Sequence, residues 1–192
     1  MPFSLDTFNS NLINHLNLIK AESILDIGAG AGKYGQLCKT VSSLKTIDAV
    51  EPTEKYIQEY NLKDIYKNVH QKTIQDFIIQ DCKKRYDVVI FGDVLEHFFR
   101  SQAIDYIDYF LYRANWVIAL WPTFLPQDDA MDNHYEIHKC NFKLADLATK
   151  FDVHSFDKKF LWHHWGNPEF TYCEHNYCVM RGYITKSSNT LR

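Results

Sequence analysis

Apolar positions along the chain recur with two different periods. Between residues 4 and 19, Leu5, Phe8, Leu12, Leu16 and Ile19 fall on one helical stripe. Ser4 is placed to cap that helix, and Asp6 sits in its first turn. The pattern then changes to short continuous runs of apolar and β-branched residues. These predict strands at 23–28, 46–50, 69–73, 86–91 and 116–120, the last ended by Pro122. The run Tyr86-Asp87-Val88-Val89-Ile90-Phe91 suits a parallel strand buried on both faces. Helical spacing returns between the strands, at 31–41, 53–60 and 74–83. It returns again after Ser101, which is placed as a cap, with Ala103, Ile104, Ile107, Phe110 and Leu111. Leu144, Leu147, Ala148 and Phe151 predict one more helix, and two strands follow at 152–161 and 177–185.

Strand and helix therefore alternate, without repeat, low-complexity tract or linker. The expected architecture is one α/β domain over 1–192, a doubly wound, mostly parallel Rossmann-like sheet with helices on both faces. The helix within 1–20 is expected to cover the core ahead of the first strand. Residues 121–141 lack periodicity, and a long polar loop in a compact domain is functional or disordered. Sheets of this kind bind ligands beyond the C-terminal ends of their strands, at the switch point. Three conspicuous segments fall there: Asp26-Ile27-Gly28-Ala29-Gly30-Ala31-Gly32, Glu51-Pro52 and Gly92-Asp93.

Glycine is needed where the backbone takes positive φ or where a ligand must touch the main chain. The N–H groups after such a turn favour anionic or carboxylate-bearing ligands. The dinucleotide fingerprint G-x-G-x-x-G/A puts a small residue where this chain has Lys33, so the turn departs from nicotinamide-binding folds. Glu51 lies about 20 residues further on, where an acid accepts hydrogen bonds from ribose hydroxyls.

Composition narrows the picture. The chain is 46% hydrophobic and 15% aromatic with a net charge of −3, so no basic surface for nucleic acid is expected. The basic cluster Lys83-Lys84-Arg85 reads as a solvated helix end. No apolar run approaches the ~20 residues of a membrane span, and residues 1–20 lack a signal-peptide pattern. Cys38, Cys82, Cys140, Cys173 and Cys178 are odd in number and scattered, which fits free thiols in a reducing cytoplasm. His163-His164 and Cys173-Glu174-His175-Asn176-Tyr177-Cys178 contain no C-x-x-C, and their spacing is not that of zinc sites; no metal is expected.

The glycine turn after Asp26, the strand ending in Glu51-Pro52, and Gly92-Asp93-Val94-Leu95-Glu96-His97 occur in the order and at spacings that resemble class I S-adenosylmethionine-dependent methyltransferases. The Asp-Val-Leu-Glu-His segment looks like that of small-molecule members of the quinone-biosynthesis and sugar-modifying kinds. The resemblance covers residues 20–120 well and the rest loosely. It implies seven strands with the last antiparallel. It also implies S-adenosyl-L-methionine as cofactor, held by Asp26, Gly28, Ala29, Gly30, Glu51, Pro52, Thr73, Ile74, Gly92, Asp93 and Val94, with S-adenosyl-L-homocysteine as product. The acid that such enzymes often place beside the adenine is missing; Thr73-Ile74 stands there, with Asp76 displaced.

The chain lacks the (Asp/Asn)-Pro-Pro-aromatic segment of base amino-methylation and the Pro-Cys nucleophile of pyrimidine carbon methylation. A hydroxyl of a small molecule or saccharide remains as acceptor. Such a hydroxyl must lose its proton, which suits histidine. His97 stands beside the cofactor as base or buttress. His134 and His138 flank Glu136 in the 121–141 loop, a segment similar to the acceptor side of sugar methyltransferases. Trp121, Trp162 and Trp165 either stack on a ligand or join the core. The competing readings are a non-catalytic S-adenosylmethionine-binding module and, disfavoured by Lys33, an NAD-dependent oxidoreductase.

Overall fold

A computed structural model describes residues 4–80, 83–123, 125, 127, 128, 132–163 and 171–184, with backbone alone for 162, 163, 171 and 172. Cys82, Phe124, Pro126, His164 and Trp165 lie outside the described residues, as do the side chains of Trp162 and His163.

Seven strands form one sheet in the order β3-β2-β1-β4-β5-β7-β6. They are β1 (Ser23–Ile27), β2 (Thr46–Val50), β3 (Asn68–His70), β4 (Tyr86–Gly92), β5 (Ala114–Thr123), β6 (Val153–His163) and β7 (Thr171–Arg181). The pairs β1–β2, β1–β4, β2–β3 and β4–β5 are parallel, while β7 runs antiparallel to β5 and β6. The expected fold is therefore the observed one, and the switch point lies between β1 and β4. Helices α1 (Asn9–Leu18), α2 (Lys33–Cys38), α3 (Glu54–Glu59), α4 (Leu62–Ile65), α5 (Ile74–Ile79), α6 (Arg100–Leu111) and α7 (Leu144–Ala148) cover it.

Both faces of the central strands are buried, which is why they read as unbroken apolar runs. Leu25, Ile27, Val89, Phe91, Val117, Ala119 and Trp121 join one core with Phe77, Ala103, Ile107 and Phe110 from α5 and α6. Their neighbours Ile24, Val88, Ile90, Ile118 and Leu120 face the opposite core, closed by Phe8, Leu12 and Leu16 around α1 and Tyr34 and Cys38 of α2. Each large side chain so buried contributes roughly 1.5–3 kcal/mol of transfer free energy.

Several boundaries differ from expectation for identifiable reasons. Helix α1 begins at Asn9, and Ser4 does not cap it. Instead the preceding segment is held by Lys33, whose Nζ donates to the Leu5 carbonyl and pairs with Asp6 at 3.4 Å. The residue that departs from the dinucleotide pattern is thus a tether. Helix α6 begins at Arg100, with Ser101 inside its first turn and the Phe99 N–H donating to Gln102 Oε1. Strand β5 runs through Pro122 to Thr123. Pairing with β4 ends at Gly92↔Leu120, so the missing proline N–H leaves no gap on that side. Strand β7 begins at Thr171, before the expected 177. The short helix α4 has no counterpart in the sequence pattern.

Lys83, Lys84 and Arg85 are exposed, as expected, but they lie in extended chain leading into β4, and two of them also make contacts to the rest of the fold. Lys84 Nζ lies 2.5 Å from the buried carboxylate of Asp48, and Arg85 donates to the carbonyls of Tyr112 and Ile184. Among the described residues Cys38, Cys140, Cys173 and Cys178 are unpaired thiols, and no helix is long and apolar enough to cross a membrane.

Candidate active site

One cleft opens over the C-terminal ends of β1, β2 and β4, beside the segment after β3, and is continued by the 122–139 region. Its first half is mostly backbone. Gly28, Gly30 and Gly32 have φ of 72°, 51° and 79°, the positive values that the alternating glycines predict. At Gly28 the constraint is double, because an added Cβ would stand 2.6 Å from Val94 Cγ2. The Gly28 N–H donates to Val50 O at 2.9 Å, tying the turn to β2. Glu51, at the end of β2, is 4% exposed. Its carboxylate accepts from the N–H groups of Gly30 and Thr53, both at 2.9 Å. Burial raises the proton affinity of Glu51, and these two donors work against that.

Pro52, Thr73, Ile74, Gly92, Asp93, Val94 and Ala29 line the same half. Asp93 takes φ 51°, uncommon for a residue with a side chain. Its carboxylate accepts from Tyr34 Oη at 2.9 Å and meets His175 Nε2 at 2.8 Å. Burial pushes Asp93 up, but His175, Lys33 and Tyr34 outweigh it and hold the carboxyl below its ordinary value. Thr73 also caps α5, where its hydroxyl accepts from Asp76 N and donates to Asp76 Oδ2. Asp26 corrects an expectation, since it does not line the cleft. It is 1% exposed behind the turn and accepts from Tyr66 Oη at 2.6 Å; that oxygen in turn accepts from Gly35 N. Burial pushes Asp26 up to about 7.

The second half is built from side chains on two segments stitched together. A 3₁₀ turn, Leu95–His97, follows β4, and the Lys139 and Cys140 N–H groups donate to Glu96 O. Gln127 Nε2 donates to Glu136 O, and His138 N donates to Gln127 O. Asn133 Nδ2 reaches Thr53 Oγ1 at 3.3 Å, so the loop also docks on the first half. His97 and His138 both line the cleft, with ring centroids 4.7 Å apart. His97 Nδ1 faces Ile137 O at 3.3 Å, and His138 Nδ1 faces Leu125 O. A carbonyl only accepts, so both rings carry hydrogen on Nδ1 and keep a lone pair on Nε2. Burial, then the neighbouring His138, push His97 down to about 3. Burial also lowers His138.

His134 is not among the lining residues. A second 3₁₀ turn, His134–Glu136, exposes its ring against Tyr135 and turns Glu136 inward, where it is 8% exposed. Trp121 belongs to the core, its Nε1 donating to Phe142 O at 2.9 Å. Two acids to which the sequence pattern assigns no role, Glu96 and Glu136, also line the cleft. Glu96 is 2% exposed, and burial followed by Asp93 raises its carboxyl well above the ordinary value. Its place in Asp93-Val94-Leu95-Glu96-His97, between a strand end and a candidate base, is the available signal. Glu136 offers an equal one, two residues before His138.

No family model matches this chain, and no curated protein matches it. Solved structures do. An S-adenosylmethionine-dependent methyltransferase from Clostridium acetobutylicum is similar over 91% of this chain and 90% of its own, at 12% identity and a TM-score of 0.63. Magnesium protoporphyrin IX methyltransferase from Synechocystis, solved with bound S-adenosylmethionine, is similar over 90% and 77%, at 16% identity and a TM-score of 0.59. The N-methyltransferase NodS from Bradyrhizobium japonicum, in complex with S-adenosyl-L-homocysteine, is similar over 91% and 85%, at 11% identity and a TM-score of 0.57. At such identities the likeness is one of architecture: the chain has the class I methyltransferase fold.

Proposed function

We propose that the protein is an S-adenosylmethionine-dependent methyltransferase whose acceptor is a hydroxyl of a small molecule or saccharide. The observation that carries this reading is the convergence, in one cleft, of the positive-φ glycine backbone at Gly28–Gly30, the buried carboxylate of Glu51 and the Gly92-Asp93 strand end. Three strand ends meet there, as ligand binding at a switch point requires. Two of the similar structures hold this cofactor or its product, which supports the choice of cofactor.

In this reading Glu51 receives the ribose hydroxyls on the lone pairs its two backbone donors leave open. Gly28 and Gly30 let the cofactor approach the main chain, and Thr73 and Ile74 flank the base. The methyl group leaves sulfur as the acceptor oxygen attacks in line, so positioning supplies much of the rate. His97 lies near that line, but a group pushed to about 3 holds a proton too weakly to remove one from a hydroxyl unaided. His138 is the better candidate base, and His134 is set aside. The unpaired thiols support a reducing compartment.

Calorimetric titration with S-adenosyl-L-homocysteine and with NAD tests the cofactor. Binding of the first is expected; tight NAD binding with no response to the first overturns the reading. A screen of methyl transfer to hydroxylated metabolites and sugars then tests the acceptor class, and turnover confined to amines would correct it.

A further inference from the structure

The acceptor half holds a donor set that base catalysis does not explain. One ligand atom each from Glu96, His97 and His138 lies within 4.8 Å of the other two. Glu96 is 2% exposed, and its Oε2 has no hydrogen-bond partner. A buried carboxylate oxygen left in this way costs free energy unless a cation or proton meets it. The two imidazoles are fixed by the same device, Nδ1–H donated to a backbone carbonyl, Ile137 O for His97 and Leu125 O for His138. That outer contact sets the tautomer and leaves Nε2 to donate its lone pair, the arrangement common to metal-binding histidines. Asp93 and Glu136 add negative potential on Glu96.

We propose that Glu96, His97 and His138 bind one divalent transition-metal ion in the acceptor half of the cleft. Bonds of about 2.0–2.3 Å need only small rotations of side chains already gathered this closely. Two imidazoles and one carboxylate suit Mn²⁺, Fe²⁺, Co²⁺ or Zn²⁺, whereas Mg²⁺ and Ca²⁺ favour oxygen alone. Three protein ligands leave coordination positions open. Those positions are where an acceptor oxygen would bind and lose its proton, with His138 then acting as a ligand through Nε2 in place of a free base, and that last consequence alone rests on the methyltransferase reading. The metal site itself does not.

The test uses the full chain, stripped with a chelator and titrated with Co²⁺ in the absence of any cofactor, by calorimetry and visible absorption. One Co²⁺ per chain is expected, with Mg²⁺ at least about tenfold weaker. Glu96→Gln and His138→Ala should each weaken Co²⁺ about 100-fold, with circular dichroism and melting used to confirm folding. His134→Ala should bind as the parent does. Absence of Co²⁺ binding by the parent overturns the site, as does unchanged affinity in folded Glu96→Gln and His138→Ala. A parallel titration with S-adenosyl-L-homocysteine keeps the two ideas apart. Binding of that ligand without Co²⁺ removes the metal site and keeps the methyltransferase; Co²⁺ binding without it does the reverse.

Discussion

The two halves of the cleft are made by opposite means. The half that the proposal gives to the cofactor is main chain bent by glycine and gripped by one carboxylate, all at the ends of parallel strands. The acceptor half is side chains on two short 3₁₀ turns, laced together by Gln127 and by the N–H groups of Lys139 and Cys140. The first inherits its geometry from the sheet. The second depends on which way a single turn faces: within His134–Glu136, one end points to solvent and the other into the cleft. A backbone-built half can serve many acceptors unchanged, while a side-chain-built half can be rewritten without disturbing the sheet.

That contrast can be broken most severely at Gly28. Gly28→Val demands a strained φ and a clash with Val94, so the turn must shift away from the cleft and place side chain where backbone stood; affinity for S-adenosyl-L-homocysteine should fall about 100-fold. Calorimetry on the folded variant would show it, and an unchanged affinity would mean that the turn does not touch the ligand. Glu51→Ala removes charge-assisted hydrogen bonds of about 1.5–3 kcal/mol and should weaken the same ligand roughly 10–100-fold. Retained affinity would take Glu51 off the ribose. On the other side, His138→Ala should cut methyl transfer at least about tenfold while leaving affinity for S-adenosyl-L-homocysteine within about twofold. His134→Ala should leave both within about twofold. Equal losses in the two variants would erase the distinction between exposed His134 and His138 in the cleft.

The last test concerns Asp26. Its carboxyl is pushed up to about 7 by burial, so the folded chain keeps a proton that the unfolded chain loses near 4. Between those values the folded state binds more protons, and this group's contribution to stability falls as pH rises, levelling off above about 7. Asn at this position keeps an acceptor for Tyr66 and does not titrate. The melting temperature of Asp26→Asn relative to the parent should therefore rise from pH 5 to pH 8, by roughly 5–10 °C. A constant difference would show that Asp26 does not titrate in this range.

The sheet was legible because its central strands are buried on both faces, so residues 88–92 stand out as an unbroken apolar run and Thr46–Val50 as a short one interrupted by Asp48. The positive-φ glycine turn and the placing of Glu51 at a strand end were legible because both follow directly from where the apolar runs stop. Asp26 was misplaced because a strand residue next to a site points towards it or behind it, and sequence order does not say which. The choice among His97, His134 and His138 rested on contacts made across the fold, such as Ile137 O to His97 and Leu125 O to His138. Spacing carries no record of those. Glu96 and Glu136 were in plain view, but their burial depends on the loop that closes over them.

One consequence follows from the length of β5. Strand β4 stops at Gly92, opposite Leu120, and β5 continues to Thr123 with β7 still beside it. At about 3.3 Å per residue, that overhang is a step roughly 10 Å high in the edge of the sheet. The wall behind the acceptor half is this step, with Pro122 on it. The depth of the cleft is thus counted in residues. Trimming the overhang would make it shallower with no lining charge changed, and lengthening β4 would fill it from below.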